Sequence, residues 1–316
     1  DSDHVPFEFY LNVFPIAKEV DMHLGYFSSN AIKVLSSSFA QFIYNGGKPR
    51  LAINNFLSSD DKAILTNPDI NDEDKVIEII KDFDLLKATL GKNGKYFFDC
   101  LKFLLKEGRL EIVPIQLKGG KLSHFKKILF YDGEEYLYIN GSSNFTAGGV
   151  LINGESFRVD ASWQGGSQLT RIENQRKVFE QIISKNHESY VYLDVEQIKE
   201  IITGIGEDKD KDQLVEDAFE LLKDYPLPSK VRKMIQENEN DFEKLIKKEK
   251  SEPKFPYKEG PREYQNLAYQ SWKQNGFKGI FAMATGTGKT LTSLNCLLNE
   301  YNETNIYSGR WNWWSY

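Results

Sequence analysis

Hydrophobic and polar positions along the first 190 residues alternate between two periods, short β-rich runs and amphipathic helical runs, which predicts an α/β domain. The segment DMHLGYFSSNAIKVLSSSFAQFIYNGG reads as a strand, a turn and a helix with Ile32, Leu35, Phe39 and Phe42 on one face, closed by Gly46 and Gly47. LAINN predicts the next strand, KYFFDCLKFLLKEG a helix stopped at Gly108, and LEIVPIQ a further strand. In KKILFYDGEEYLYING two β-rich runs are joined through Asp132 and Gly133, a hairpin signal.

From about Gly204 to Pro253 mixed charge with helical periodicity takes over, and in DQLVEDAFELLKDY the residues Leu214, Ala218, Leu221 and Leu222 share a face. This stretch is expected to be a solvated helical connector. A new unit follows, read as helix, strand, glycine-rich loop and helix. The expected division is 1–195, 196–255 and 256–316.

Composition changes this picture little. Hydrophobic residues at 40%, aromatics at 13% and charged residues at 27% describe a globular chain, too long at 316 residues for one ordinary core. A net charge of -6 supplies no general attraction to nucleic acid, so contact with a polyanion has to come from a local basic patch. Two distant cysteines, Cys100 and Cys296, exclude a disulfide framework and a cysteine zinc cluster. No apolar run approaches the ~20 residues of a membrane span and the start DSDHVPFEFY is no signal peptide, so a cytoplasmic protein without membrane association is expected.

Two constellations carry chemistry. In SHFKKILFYDGEEYLYINGSSNFTAGGVLINGE, His124 and Lys126 stand two apart and so share one face of a strand. Ser142 and Asn144, also two apart, are expected on the returning strand beside them. An imidazole is a good nucleophile near neutral pH, and Lys126 and Asn144 can hold the non-bridging oxygens of a phosphodiester without a metal. Glu155 can hydrogen-bond the imidazole and fix which nitrogen faces phosphorus.

These residues resemble the signature of the phospholipase D superfamily, His-x-Lys followed by Gly-Ser-x-Asn and a later Glu. The resemblance spans roughly residues 6 to 195, through GYFSSNAIKVL, GGKPRLAI and GGKLSHFK. The longer family pattern has an Asp five residues after the Lys; here that place is Tyr131, with Asp132 one step later. The resemblance implies a mixed β-sheet flanked by helices, and is nearest to the nuclease branch with one motif per chain. It further implies His124 as covalent nucleophile, Lys126 and Asn144 on phosphate, Ser142 assisting and Glu155 orienting the ring. Since His4, His23 and His187 begin no second His-x-Lys, the second histidine of the site is expected from an identical partner, in a homodimer acting on DNA.

In FAMATGTGKT an apolar run precedes Gly286, Gly288, Lys289 and Thr290. Glycines let backbone N–H groups close around phosphates, the helix start adds its dipole, Lys289 reaches the β and γ phosphates and Thr290 binds Mg²⁺. The form, with Thr285 and Thr287 between the glycines, resembles the loop of superfamily 2 helicases and restriction-type translocases. The resemblance implies a RecA-like P-loop domain, Arg262 and Gln265 of PREYQ beside adenine, and ATP with Mg²⁺ as the motor's cofactors; the nuclease is expected to need none. After Asn305 the remaining motor motifs are not found, and ATP hydrolysis by this chain alone is not expected. The leading reading is a DNA endonuclease attached to a restriction or phage-defence motor; the alternative is a noncatalytic dimerisation or DNA-docking module.

Overall fold

In the computed structural model the described residues are 5–26, 35–55, 91–118, 126–141, 157–223, 227–257 and 259–306. By packing, the chain divides into two compact units, residues 1–242 and 243–316.

The first unit is built on a mixed seven-stranded sheet: β1 Glu19–Tyr26, β2 Lys48–Asn55, β3 Glu111–Leu117, β4 Lys126–Tyr131, β5 Tyr136–Gly141, β6 Phe157–Ala161 and β7 Tyr190–Tyr192. The spatial order is β6-β5-β4-β1-β2-β3-β7. The central pairs β1–β2 and β2–β3 are parallel, and the others are antiparallel. Parallel neighbours need a crossover, and α2 Ser36–Tyr44 lies in the chain between β1 and β2 while α3 Gly91–Lys106 lies between β2 and β3.

Strand alternation in EVDMHLGY sends Val20, Met22 and Leu24 to one face, all buried, and Glu19, Asp21 and His23 to the other. On the first face Phe130 of β4 centres an aromatic cluster. Its ring lies 5.1 Å from Phe14, which meets Phe39 and Phe42 of α2 at 5.7 and 5.9 Å. α1 Val5–Val13 adds Phe9 and Tyr10. The opposite face is covered by α4 Gly166–Ile183 through Ile172, Gln175, Phe179 and Ile182.

The turns form for local reasons. Asp132 Oδ1 accepts from the Glu134 and Glu135 N–H groups at 2.8 and 2.7 Å, while Gly133 takes φ +109°, which closes the β4–β5 hairpin. Gly47 has to lack a side chain, because a Cβ there would sit 2.2 Å from the Phe42 ring.

The helices expected to be a solvated connector are instead part of this unit. α5 Glu196–Ile205 and α6 Lys211–Lys223 pack with α3, and α6 also packs on α2. Leu214 is 0% exposed, and Ser36 donates to the Ala218 carbonyl at 3.1 Å. The charges that suggested solvent lie on the outer side, and the apolar stripe covers α2 and α3. Val231, Ile235 and Phe242 of α7 Ser229–Ser251 are buried as well.

The second unit contains α8 Glu263–Gln274, the glycine loop and α9 Lys289–Ile306. The apolar run before the loop does not form the expected strand. Residues 278–284 enter no ladder and Ile280 is 94% exposed. A strand needs neighbours for its N–H and C=O groups, and this unit supplies none among the described residues.

Candidate functional sites

His124, Ser142, Asn144 and Glu155 lie outside the described residues. Lys126 is described: it opens β4, is half-buried and pairs with Leu24 at the end of β1. Gly141, last residue of β5, pairs with Phe157, first of β6. The end of β1, the start of β4, the end of β5 and the start of β6 are therefore neighbours along one rim of the sheet.

Lys127 faces Asn140 across the hairpin, so the side of β4 that carries Lys126 corresponds to the side of β5 that carries Ile139 and Gly141. A regular continuation of β5 would put positions 142 and 144 on the opposite side from Lys126.

The face under α4 holds a polar layer that the sequence reading missed. Arg50 of β2 donates to both oxygens of Asp21 on β1 at 2.7 Å and pairs with Glu180 of α4 at 2.8 Å. Burial pushes the Asp21 carboxyl up to about 6 despite Arg50 beside it. His23 is buried with Tyr190 Oη 3.4 Å from its Nε2, and burial, with Lys127 and His187 nearby, pushes it down to about 3. Lys127 donates to Gln175 Oε1 at 3.2 Å, and burial lowers its pKa. Asp160 of β6 accepts a two-pronged bond from Arg171 at 2.8 and 2.7 Å and a third from Arg158 Nε at 3.1 Å. Arg171 is the main cause of its lowered pKa. These groups are far apart in sequence, and only the strand register shows that they share a face.

In the second unit the loop closes on itself. Gly286 and Gly288 both take φ +84°, a left-handed backbone suited to glycine. Thr287 Oγ1 donates to the Ala284 carbonyl at 2.7 Å, and Lys289 Nζ to the Met283 carbonyl at 2.8 Å. Gln265 is buried, its Oε1 capping α8 by accepting from the Arg262 N–H at 2.9 Å. Its amide nitrogen is turned toward the loop: a Cβ on Gly288 would lie 3.3 Å from Gln265 Nε2. Tyr264 donates to the Thr287 carbonyl at 2.7 Å.

A cavity of about 420 Å³ results, with Arg262, Gln265, Gly286, Thr287 and Gly288 among its walls. Thr285, Lys289 and Thr290 are not among its walls; Thr285 stands in the turn and the other two open α9. Phe255 and Tyr257 also line it. Their signal is the aromatic pair of KFPYKEG just before PREYQ.

Residues 258–307 match the ResIII family, Type III restriction enzyme, res subunit. The match takes in Arg262, Gln265 and the whole glycine loop and covers about a sixth of the chain. This segment is a restriction-type, helicase-like one, and the match reaches no residue of the sheet. No curated protein matches the chain. Among the described residues no helix is long and apolar enough to cross a membrane.

Proposed function

We propose that this chain joins a phospholipase D-like DNA endonuclease, within residues 1–195, to a nucleotide-binding segment of a restriction-type motor. The observation that carries the nuclease reading is the meeting of four strand ends at one rim, because the chain leaves that rim into each signature residue. His124 stands two residues before Lys126, Ser142 directly follows Gly141 and Glu155 stands two before Phe157. These positions adjoin the rim residues in sequence, and that adjacency is the ground for the proposal.

In the proposed reaction a His124 nitrogen attacks phosphorus and forms a P–N bond as one P–O bond breaks. The leaving oxygen takes its proton from the second His124, supplied by an identical subunit. Water then gives a proton back to the second His124 as its oxygen attacks phosphorus, the P–N bond breaks and the first imidazole is restored. Lys126 and Asn144 hold the non-bridging oxygens, Ser142 assists and Glu155 orients the ring. No step of this sequence calls on a metal.

The motor segment is proposed to bind ATP with Mg²⁺. The cavity between α8 and the loop suits a nucleotide: Arg262, Gln265, Phe255 and Tyr257 would take the base, and the N–H groups from Thr285 to Gly288 with Lys289 the phosphates. Thr290, at the start of α9, would serve the Mg²⁺. ATP supplies the driving energy of such a motor when bound.

Mixing tests the shared site. Wild-type subunits exchanged with an excess of His124→Ala subunits are expected to lose activity in proportion to the heterodimers formed. Activity that tracks only the wild-type subunits present, or a monomer that cleaves at full rate, contradicts it.

A further inference from the structure

The polar face of the sheet carries one row whose outer part is open. Reading across the ladders, His23 pairs with Lys127, Lys127 with Asn140 and Asn140 with Arg158. All lie on the α4 side, since Lys127 reaches Gln175 of α4 and Arg158 shares Asp160 with Arg171 of α4. The row begins buried at His23 and ends in solvent, with Asn140 exposed and the Arg158 side chain 60% exposed. It is also the last full row before the rim where Lys126 and Gly141 stand.

We infer that Lys127, Asn140 and Arg158 form a phosphate-contacting row that carries a DNA strand across β4, β5 and β6 to the rim beside Lys126. The inference rests on the nuclease reading for the choice of DNA as the polyanion. The chain as a whole repels nucleic acid at a net charge of -6, so binding requires a local cationic surface. Here two cations, Arg158 and Arg171, hold one carboxylate, Asp160, and Lys127 stands in the same row two strands away.

The roles differ. Arg171 spends its fork on Asp160, and the buried Asp160 in turn holds Arg158 by Nε alone. No described residue accepts from the two terminal nitrogens of Arg158, a pair suited to phosphate oxygens. Asn140 adds an amide that no described side chain or backbone group engages. Adjacent strands lie ~4.8 Å apart, so the three side chains span about 10 Å across β4, β5 and β6. Asp160 and Arg171 are positioning residues for Arg158.

The test is binding of a labelled single-stranded DNA to the full chain by fluorescence anisotropy over a salt series, on a His124→Ala background so that nothing is cleaved. Arg158→Gln and Lys127→Gln are each expected to lower the slope of log K against log salt by about 0.7, the signature of one lost phosphate contact on a single strand. Asn140→Asp, which adds a charge at an exposed position and cannot empty the core, is expected to weaken binding severalfold. Lys199→Gln, a control cation on α5, is expected to leave both unchanged. Unchanged slopes in both charge-removal variants, wild-type affinity in Asn140→Asp, or no DNA binding at all overturns the row. If Arg158→Gln lowers the melting temperature, Asn140→Asp decides alone. Row-dependent binding by a wild-type chain that never cleaves DNA keeps the row and fells the nuclease; cleavage with row-independent binding does the reverse.

Discussion

Tyr190 Oη lies 3.4 Å from His23 Nε2 beneath the sheet, with the two rings edge to face at 5.8 Å. His23 has Lys127 across the ladder and His187 close by, and it is pushed down to about 3. The unfolded chain therefore binds a proton near the ordinary value of 6.5 that the fold refuses until about 3. Stability from neutral His23 is complete above 6.5 and falls between 6.5 and 3, by at most about 1.4 kcal/mol per pH unit. Asp21, raised to about 6, acts oppositely, its protonation favouring the fold below that pH. The difference between wild type and His23→Gln isolates the histidine. Urea melts at neutral and mildly acidic pH are expected to show a shallower acid loss in His23→Gln; parallel losses contradict it.

Arg50 and Asp21 form a bidentate pair with side chains 23% and 10% exposed. Removing the guanidinium strands a carboxylate in the protein interior. Arg50→Ala is expected to cost about 3 kcal/mol in denaturant unfolding, near the lower end for broken buried pairs. Asp21→Asn in the Arg50→Ala background should recover part of it.

Leu214 is fully buried in α6, which covers α2 and α3. Leu214→Ala is expected to cost about 2–5 kcal/mol, as for other buried leucines, in the unfolding of the first unit. Residues 1–195 expressed alone should melt lower than 1–242 and bind a hydrophobic dye. An equally stable 1–195 fragment would return α5 and α6 to the role of a solvated connector.

Much of the fold is legible in the sequence where the cause is local. Asp132 and Gly133 specify their turn by their own hydrogen bonds and backbone freedom, and the alternation of Val20, Met22 and Leu24 marks a strand with one apolar face. The periodicity of Leu214 and Ala218 announces a buried stripe without saying what covers it. Residues 278–284 have a strand's composition, but a strand exists only with a neighbour to pair with. The glycine loop with Arg262 and Gln265 is readable as a motif, whereas Phe255 and Tyr257 join its cavity through folding. The row of Lys127, Asn140 and Arg158 depends on non-local register, which no spacing in the sequence records.

Gly288 combines φ +84° with a close approach to Gln265. Gly288→Ala is expected to strain the loop, and Lys289→Ala to remove a charged donor worth about 1.5–3 kcal/mol, roughly ten- to a hundredfold in affinity. Titration with a fluorescent ATP analogue checks both. Wild-type affinity in Lys289→Ala contradicts phosphate binding by the loop.

The central claim is cleavage of DNA by an imidazole nucleophile, and the most direct measurement is incubation of the full chain with plasmid and single-stranded DNA in EDTA, beside His124→Ala. Cleavage is expected to persist in the chelator and to fall by several orders of magnitude in His124→Ala, on the scale of nucleophile removal. Cleavage that vanishes with EDTA and returns with Mg²⁺, or that survives in His124→Ala, would contradict the account.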